Sequence, residues 1–188
     1  MKKVKWGVIG AGGIADRRTL PGMMLSENSE LVAVMEVNAE LSEKLRAKYN
    51  AKYAYTSYEE LLANPDIEAV YIASPVSCHK PQAIAAAKAG KHILLEKPAA
   101  LTIEDGEEIL QAAHDAGVLI ASGFMMRYHG YHQKIKKMIA DGDIGKVVSA
   151  RAQLTCWYPE IPGAWRQDKA LSGGGALMDM GVHCIDLV

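Results

Sequence analysis

Paired cysteines are missing from this 188-residue chain: Cys78, Cys156 and Cys184 are odd in number and no two are spaced as CxxC. That disfavours a disulfide framework and a cysteine-built zinc site, so no metal is expected, and it fits a reducing compartment. Charge of one sign is missing as well, since 21 basic and 22 acidic side chains leave a formal net charge of −1. A near-neutral chain has no electrostatic footprint for nucleic acid or for an anionic membrane, which leaves a small molecule as the expected partner. No apolar run approaches the roughly 18 residues of a membrane-spanning segment. The basic start, Met1 to Lys5, leads into Gly7, Gly10, Gly12 and Gly13, which break the apolar stretch a signal peptide needs. A soluble, cytoplasmic protein is expected. Internal repeats, low-complexity tracts and flexible linkers are also absent.

What is present is alternation. Val8-Ile9-Gly10-Ala11-Gly12-Gly13-Ile14-Ala15 reads as a buried strand, a glycine turn and a helix start in the pattern Gly-x-Gly-x-x-Ala. Gly10 permits the turn, Gly12 lets backbone approach a pyrophosphate favoured by the helix N-terminus, and Ala15 lets helix and strand pack closely. Gly10, Gly12, Gly13, Ile14 and Ala15 are therefore candidate cofactor contacts. A second apolar strand, Leu31 to Met35, ends in Glu36, where an acid would accept hydrogen bonds from ribose hydroxyls and repel a 2′-phosphate. Val37 and Asn38 supply no Arg or Ser to hold such a phosphate, so NAD is expected over NADP.

Asn38 is placed to cap a helix carrying Leu41, Leu45 and Tyr49 on one face, and Ser57 with Glu60 reads as a capping box. The strand Ala69 to Ala73 stops at Ser74-Pro75, and a loop through His79 should cross the carboxyl edge of the sheet. A helix over 81–89 stops at Gly90; the strand His92 to Glu96 runs into Lys97-Pro98; a helix from Thr102 closes at Gly117; and Val118 to Ala121 is a further strand. The fold class is α/β, a doubly wound parallel sheet of five or six strands forming a nucleotide-binding domain over 1–123.

After Gly123 the pattern changes, and 124–188 reads as the beginning of a second domain. A helix with Ile135, Met138 and Ile139 on one face ends at Asp141-Gly142, and Val147 to Trp157 alternates as a long half-buried strand of an open sheet. Unpaired edges on such a strand predict self-association into a homo-oligomer. Beyond Gly173-Gly174-Gly175 a helix carries Asp179 and His183 four residues apart, with Asp186 continuing the stripe.

The glycine motif with Glu36, Ser74-Pro75 to His79, Ala89-Gly90-Lys91-His92, Glu96-Lys97-Pro98, Gly142 to Gly145, and Gly173 to His183 together resemble the glucose-fructose oxidoreductase/inositol dehydrogenase/MocA (Gfo/Idh/MocA) family, collinearly over essentially the whole chain. The resemblance implies a Rossmann domain followed by an α+β domain of mostly antiparallel sheet, and hydride transfer between NAD(P) and a secondary alcohol or ketone of a sugar or polyol. It implies Lys97, Asp179 and His183 as the catalytic set. Trp165 and Arg166 are implied near the cofactor, together with Ser74, Pro75, His79, Glu96 and Lys97 at the sheet edge. One departure is Val76, where many members carry an Asn. Members of the family also run well beyond this length, and Val188 falls inside an apolar helical pattern without a stop signal, so the expectation is a fragment or, alternatively, a natural short form whose missing sheet a partner supplies or that dispenses with it. Two other classes fit the same residues. A glycosidase using NAD for transient oxidation would release phenol from aryl glycosides without added cofactor, and a non-catalytic nucleotide-binding module would bind cofactor without turnover.

Overall fold

Runs of Val, Ile, Leu and Ala form the strands β1 (Val4–Ile9), β2 (Ser29–Met35), β3 (Tyr53–Tyr55), β4 (Ala69–Ile72), β5 (His92–Leu95) and β6 (Ile120–Ser122). All pair in parallel in one six-stranded sheet of order β3-β2-β1-β4-β5-β6. The computed structural model describes residues 2–188 and divides into two compact units, Met1–Ser122 and Gly123–Val188, of which the first holds this sheet. Successive side chains on a strand face opposite layers. Ile9, Val70, Ile72, Ile93 and Leu95 thus enter one core, and Val8, Val34 and Tyr71 the other. Both faces are covered, which is why these strands read as continuous apolar runs rather than alternating ones.

The covering helices are α1 (Leu20–Met24), α2 (Ala39–Tyr49), α3 (Tyr58–Ala63), α4 (His79–Lys88) and α5 (Ile103–Asp115). Leu20, Leu45 and Tyr49 pack on one face of the sheet; Leu61, Ala83, Ala86, Ala87 and Ile109 pack on the other. Burying each large aliphatic side chain stabilises the fold by about 1.5–3 kcal/mol. Asn38 Oδ1 accepts the Leu41 amide at 2.8 Å and Thr102 Oγ1 the Asp105 amide at 3.1 Å, satisfying helix N-termini. Ser57 Oγ accepts the Glu60 amide at 3.3 Å, but the carboxylate it meets is that of Glu59, at 2.6 Å. Gly90 and Gly117 take left-handed φ of 70° and 66° just past their helices, as the sequence predicts. The strand β3, three residues long, is too short to show a period and was not expected.

The second unit contains α6 (Gly130–Asp141), α7 (Lys169–Ser172) and α8 (Val182–Leu187), the last preceded by a widened π-turn stretch, Leu177–Gly181. Gly142 closes α6 at φ 81° as expected, while Ile135 and Ile139 on its apolar face are exposed. The predicted strand over 147–157 does not form: the segment has no regular structure, and Val148 is 91% exposed. A strand needs a neighbour to satisfy its backbone, and among the described residues none lies beside it. The open antiparallel sheet is therefore not seen, and the expectation of self-association has no strand to rest on. Among the described residues no helix is long and apolar enough to cross a membrane.

Candidate functional site

The register of the sheet assembles the site. Ile9 pairs with Met35 and with Ile72, and Ile72 with Leu95. The next residues, Gly10, Glu36, Ala73 and Glu96, therefore form one row at the carboxyl edge. The ladder continues into this row through Gly10 N–H to Met35 O at 3.1 Å, Ala73 N–H to Ile9 O at 2.9 Å and Glu96 N–H to Ile72 O at 2.9 Å. Strand order reverses between β1 and β4, and in an open parallel sheet the crevice at that reversal is where ligands bind.

Gly10 has φ 77°, and a Cβ there would lie 2.7 Å from the Ser74 amide nitrogen. No side chain fits between the two strand ends. Past it the chain enters a helical stretch, Ala11–Thr19, broken at Gly13, where φ −90° and ψ −116° are not helical. Gly13 is exposed with open space above it, Ile14 is half-buried, and Ala15 is fully buried against the sheet. The Gly12 amide donates to Glu36 Oε1 at 2.5 Å, so the acid at the end of β2 is drawn onto the glycine turn. A Cβ on Gly12 would meet that carboxylate at 3.0 Å and Leu41 at 2.9 Å. A left-handed turn, an open backbone surface and an acid at its flank suit a dinucleotide's pyrophosphate and ribose.

At the end of β4, Ser74 Oγ donates to Gln82 Oε1 at 2.5 Å, and Val76, the departure from the family pattern, is buried below the loop and presents nothing to a ligand. His79, expected among the cofactor contacts, is 1% exposed, with Nε2 3.0 Å from Ser74 O and Nδ1 3.0 Å from Pro98 O. That geometry holds the imidazole between the two loops.

Burial holds the His79 pKa below the ordinary histidine value, against the Ser74, Pro98 and Ala99 carbonyls and the Glu96 charge, which act in the opposite direction. A depressed folded-state pKa means that the unfolded chain binds the extra proton more readily. The associated stability is complete above about pH 6.5 and is lost as pH falls towards the lower folded value. We expect melting temperature to fall more steeply between about pH 7 and about pH 5 in the wild type than in His79→Gln; parallel slopes in thermal melts would exclude this origin.

At the end of β5, Glu96 is fixed at both oxygens. The Tyr71 hydroxyl donates to Oε1 at 2.6 Å, and the Lys97 amide donates to Oε2 at 3.0 Å. Thr19 Oγ1 donates in turn to the Tyr71 oxygen at 3.0 Å. Burial first, and the Glu96 charge second, push the Tyr71 pKa well above the usual phenol range, so it remains a neutral donor. Tyr71 and Thr19 were not among the residues expected at the site. The available signal was a tyrosine inside an otherwise aliphatic strand, whose hydroxyl must find a partner when buried. Lys97 is half-buried at this edge, followed by a cis peptide bond to Pro98.

The remaining expected residues lie in the second unit. Arg166 stacks over the Trp165 ring, its guanidinium carbon 4.3 Å from the centroid, and its Nε lies 3.6 Å from Asp179 Oδ1. His183 is 4% exposed, edge-on to Phe124 at 6.2 Å between ring centroids. Asp186, three residues past His183, forms a two-point ion pair with Arg127, one arm at 3.0 Å.

A parallel 3-2-1-4-5-6 sheet with a glycine turn at its reversal and an acid closing its second strand defines a dinucleotide-binding fold. The model of an oxidoreductase family with an NAD-binding Rossmann fold matches residues 4–124, and that of the GFO/IDH/MocA C-terminal domain matches 132–188. The chain belongs to the Gfo/Idh/MocA oxidoreductase family. It is 36% identical over 182 residues to the 1,5-anhydro-D-fructose reductase of Ensifer adhaerens, covering 97% of this chain and 54% of that protein. With the trans-1,2-dihydrobenzene-1,2-diol dehydrogenase of Mus musculus it shares 31% identity, covering 98% and 55%. Among solved structures, an aldose-aldose oxidoreductase from Caulobacter crescentus complexed with glycerol superposes with TM-score 0.86 at 28% identity, over 99% of this chain and 56% of that one. A 3-ketoreductase from Actinomadura kijaniata, solved with TDP-benzene and NADP, superposes with TM-score 0.81 at 28% identity, over 96% and 55%. The chain spans about half the length of the curated relatives it matches.

Proposed function

We propose that the protein of which this chain forms at least a part transfers hydride between a nicotinamide dinucleotide and a secondary alcohol or ketone of a sugar or polyol. The observation that carries this reading is the single row at the carboxyl edge. Gly10, read as the phosphate turn, Glu36, read as the ribose acid, and Glu96, beside Lys97 at the end read as reacting, follow β1, β2 and β5 in one register, with β4 between β1 and β5. The sugar-acting names of several relatives support the substrate class.

The nicotinamide, when bound, supplies the site that accepts or gives hydride. Lys97 donates a hydrogen bond to the substrate oxygen and stabilises the alkoxide that develops as the C–H bond breaks. His183 takes the hydroxyl proton in oxidation and returns it in reduction, an imidazole being suited to both near neutral pH. Asp179 on the same helix orients that imidazole or binds a neighbouring hydroxyl, and Arg166, 3.6 Å from its carboxylate, holds it in place. Trp165 and Arg166 belong to the same proposal as residues near the cofactor.

For the cofactor, the proposal favours NAD over NADP. Glu36 is held against the glycine turn by the Gly12 amide, and Asn38 Oδ1 is engaged in capping α2. A 2′-phosphate would therefore meet like charge at Glu36. The 3-ketoreductase solved with NADP belongs to the same fold, so the preference rests on this acid alone. In the full-length protein we expect NADH to bind at least about tenfold more tightly than NADPH, roughly 1.4 kcal/mol, as read by fluorescence titration, with NADH formed from at least one member of a sugar and polyol panel. Equal affinities would remove the role of Glu36; a panel without turnover would remove the activity.

A further inference from the structure

His79 holds a place that cofactor contact does not explain. It opens α4 directly after the turn Val76–Cys78, is almost fully buried, and meets two backbone carbonyls from different strand-end loops at equal distances of 3.0 Å, Ser74 O and Pro98 O. Pro98 immediately follows Lys97. On the other side of Lys97, Glu96 is fixed by the Tyr71 hydroxyl and by the Lys97 amide itself. The three residues 96–98 are thus fastened at both ends to elements the reaction does not use: β4 through Tyr71, and α4 through His79.

We infer that His79 is a positioning residue for Lys97, tying the Pro98 carbonyl to the start of α4 so that the β5 end presents the lysine in one fixed place. The inference rests on the reading of Lys97 as the group that donates to the substrate oxygen. A neutral imidazole carries one N–H. Anchoring Pro98 therefore requires the Nδ1–H tautomer, with Nε2 facing Ser74 O without a proton. A displacement of a donor by about 1 Å is enough to cost up to about a hundredfold in rate, which is why a backbone tether on the residue next to Lys97 matters.

The two ring positions can be separated by amide side chains, because an Asn amide reaches the place of Nδ1 and a Gln amide the place of Nε2. In the full-length enzyme with saturating cofactor, His79→Gln should lower kcat by about tenfold while its cofactor Kd stays within about twofold of wild type. His79→Asn, which restores a donor to Pro98, should recover to within about threefold of wild-type kcat. In a Lys97→Met background, His79→Gln should bring no further loss, since the group it positions is gone. Equal losses in the Asn and Gln variants, or a full additional loss in the Lys97→Met background, would show His79 to be a general structural residue and overturn the inference. Should His79→Gln not fold, a folded His79→Asn with tenfold lower kcat overturns it, and one within threefold supports it. Full turnover in Lys97→Met alone would remove the functional reading and this inference with it, whereas a slow Lys97→Met with additive His79 effects removes the inference alone.

Discussion

Lys97→Met in the full-length enzyme should turn over about a hundred- to thousandfold more slowly than wild type, with melting temperature and cofactor affinity little changed. Lys97 is half-buried at the end of β5, one residue beyond the Glu96 that closes the carboxyl row. Its amide is engaged by the Glu96 carboxylate, so the backbone there is held independently of what the ammonium does. Methionine keeps much of the apolar stem and removes the charge. If the ammonium stabilises a developing alkoxide, losing it costs about 2.7–4 kcal/mol of transition-state stabilisation and little ground-state binding. A loss in kcat with KM nearly constant is therefore expected in steady-state assays on the best sugar or polyol. A variant that turns over normally, or that melts far below wild type, would make Lys97 a structural charge at a strand end.

Gly10→Ala should be the more damaging change to the fold. Two independent obstacles meet at this residue. Its φ of 77° costs an L-residue roughly 1–2 kcal/mol. The added Cβ would sit 2.7 Å from the Ser74 amide nitrogen and 2.9 Å from the Ala73 carbonyl carbon, both backbone atoms of the adjacent strand end. No rotamer relieves such a contact, and overpacking of this kind adds roughly 1–3 kcal/mol. A total loss of about 2–5 kcal/mol is expected in denaturant unfolding, with cofactor affinity at least about tenfold weaker because the turn and the Ser74 loop must separate. Gly106→Ala, inside α5 with only an ordinary 3.9 Å contact to Ala100, is the matched control and should stabilise by about 0.5–1 kcal/mol. Equal stabilities for Gly10→Ala and wild type would mean that the close approach of β1 and β4 is not needed.

How far these features could be read from the chain depended on how local their causes are. The caps at Asn38 and Thr102 are set by amides three residues away, and Gly10 and Ala15 belong to a Gly-x-Gly-x-x-Ala spacing readable along the chain, so the sequence shows all four plainly. The strands β1, β2, β4 and β5, whose apolar stretches lie in the core, were equally legible, because a strand covered on both faces leaves an uninterrupted apolar run. β3 was not, since Tyr53–Tyr55 becomes a strand only by pairing with Ala33–Met35. The segment 147–157 shows the reverse error: it has strand periodicity, but periodicity states which face would be buried and supplies no partner to bury it. At the site, the types of Glu96 and Lys97 were readable, while the Tyr71 hydroxyl that fixes Glu96 and the carbonyls that surround His79 come from residues 25, 5 and 19 positions away. Contacts of that separation are decided by sheet order, which no local pattern encodes.

The central position of β1 also has a consequence in time. β1 is made before both of its neighbours, and the second of them, β4, ends at Ile72, 63 residues after Ile9 (72 minus 9). At a synthesis rate of about 5–20 residues per second, the nascent chain carries an apolar strand with at least one open edge for roughly 3–13 s. A dinucleotide would not shorten that interval, because the turn at Gly10 is shaped by the backbone of Ala73 and Ser74, which follow β4. β1 must therefore wait for the strand that completes its pairing.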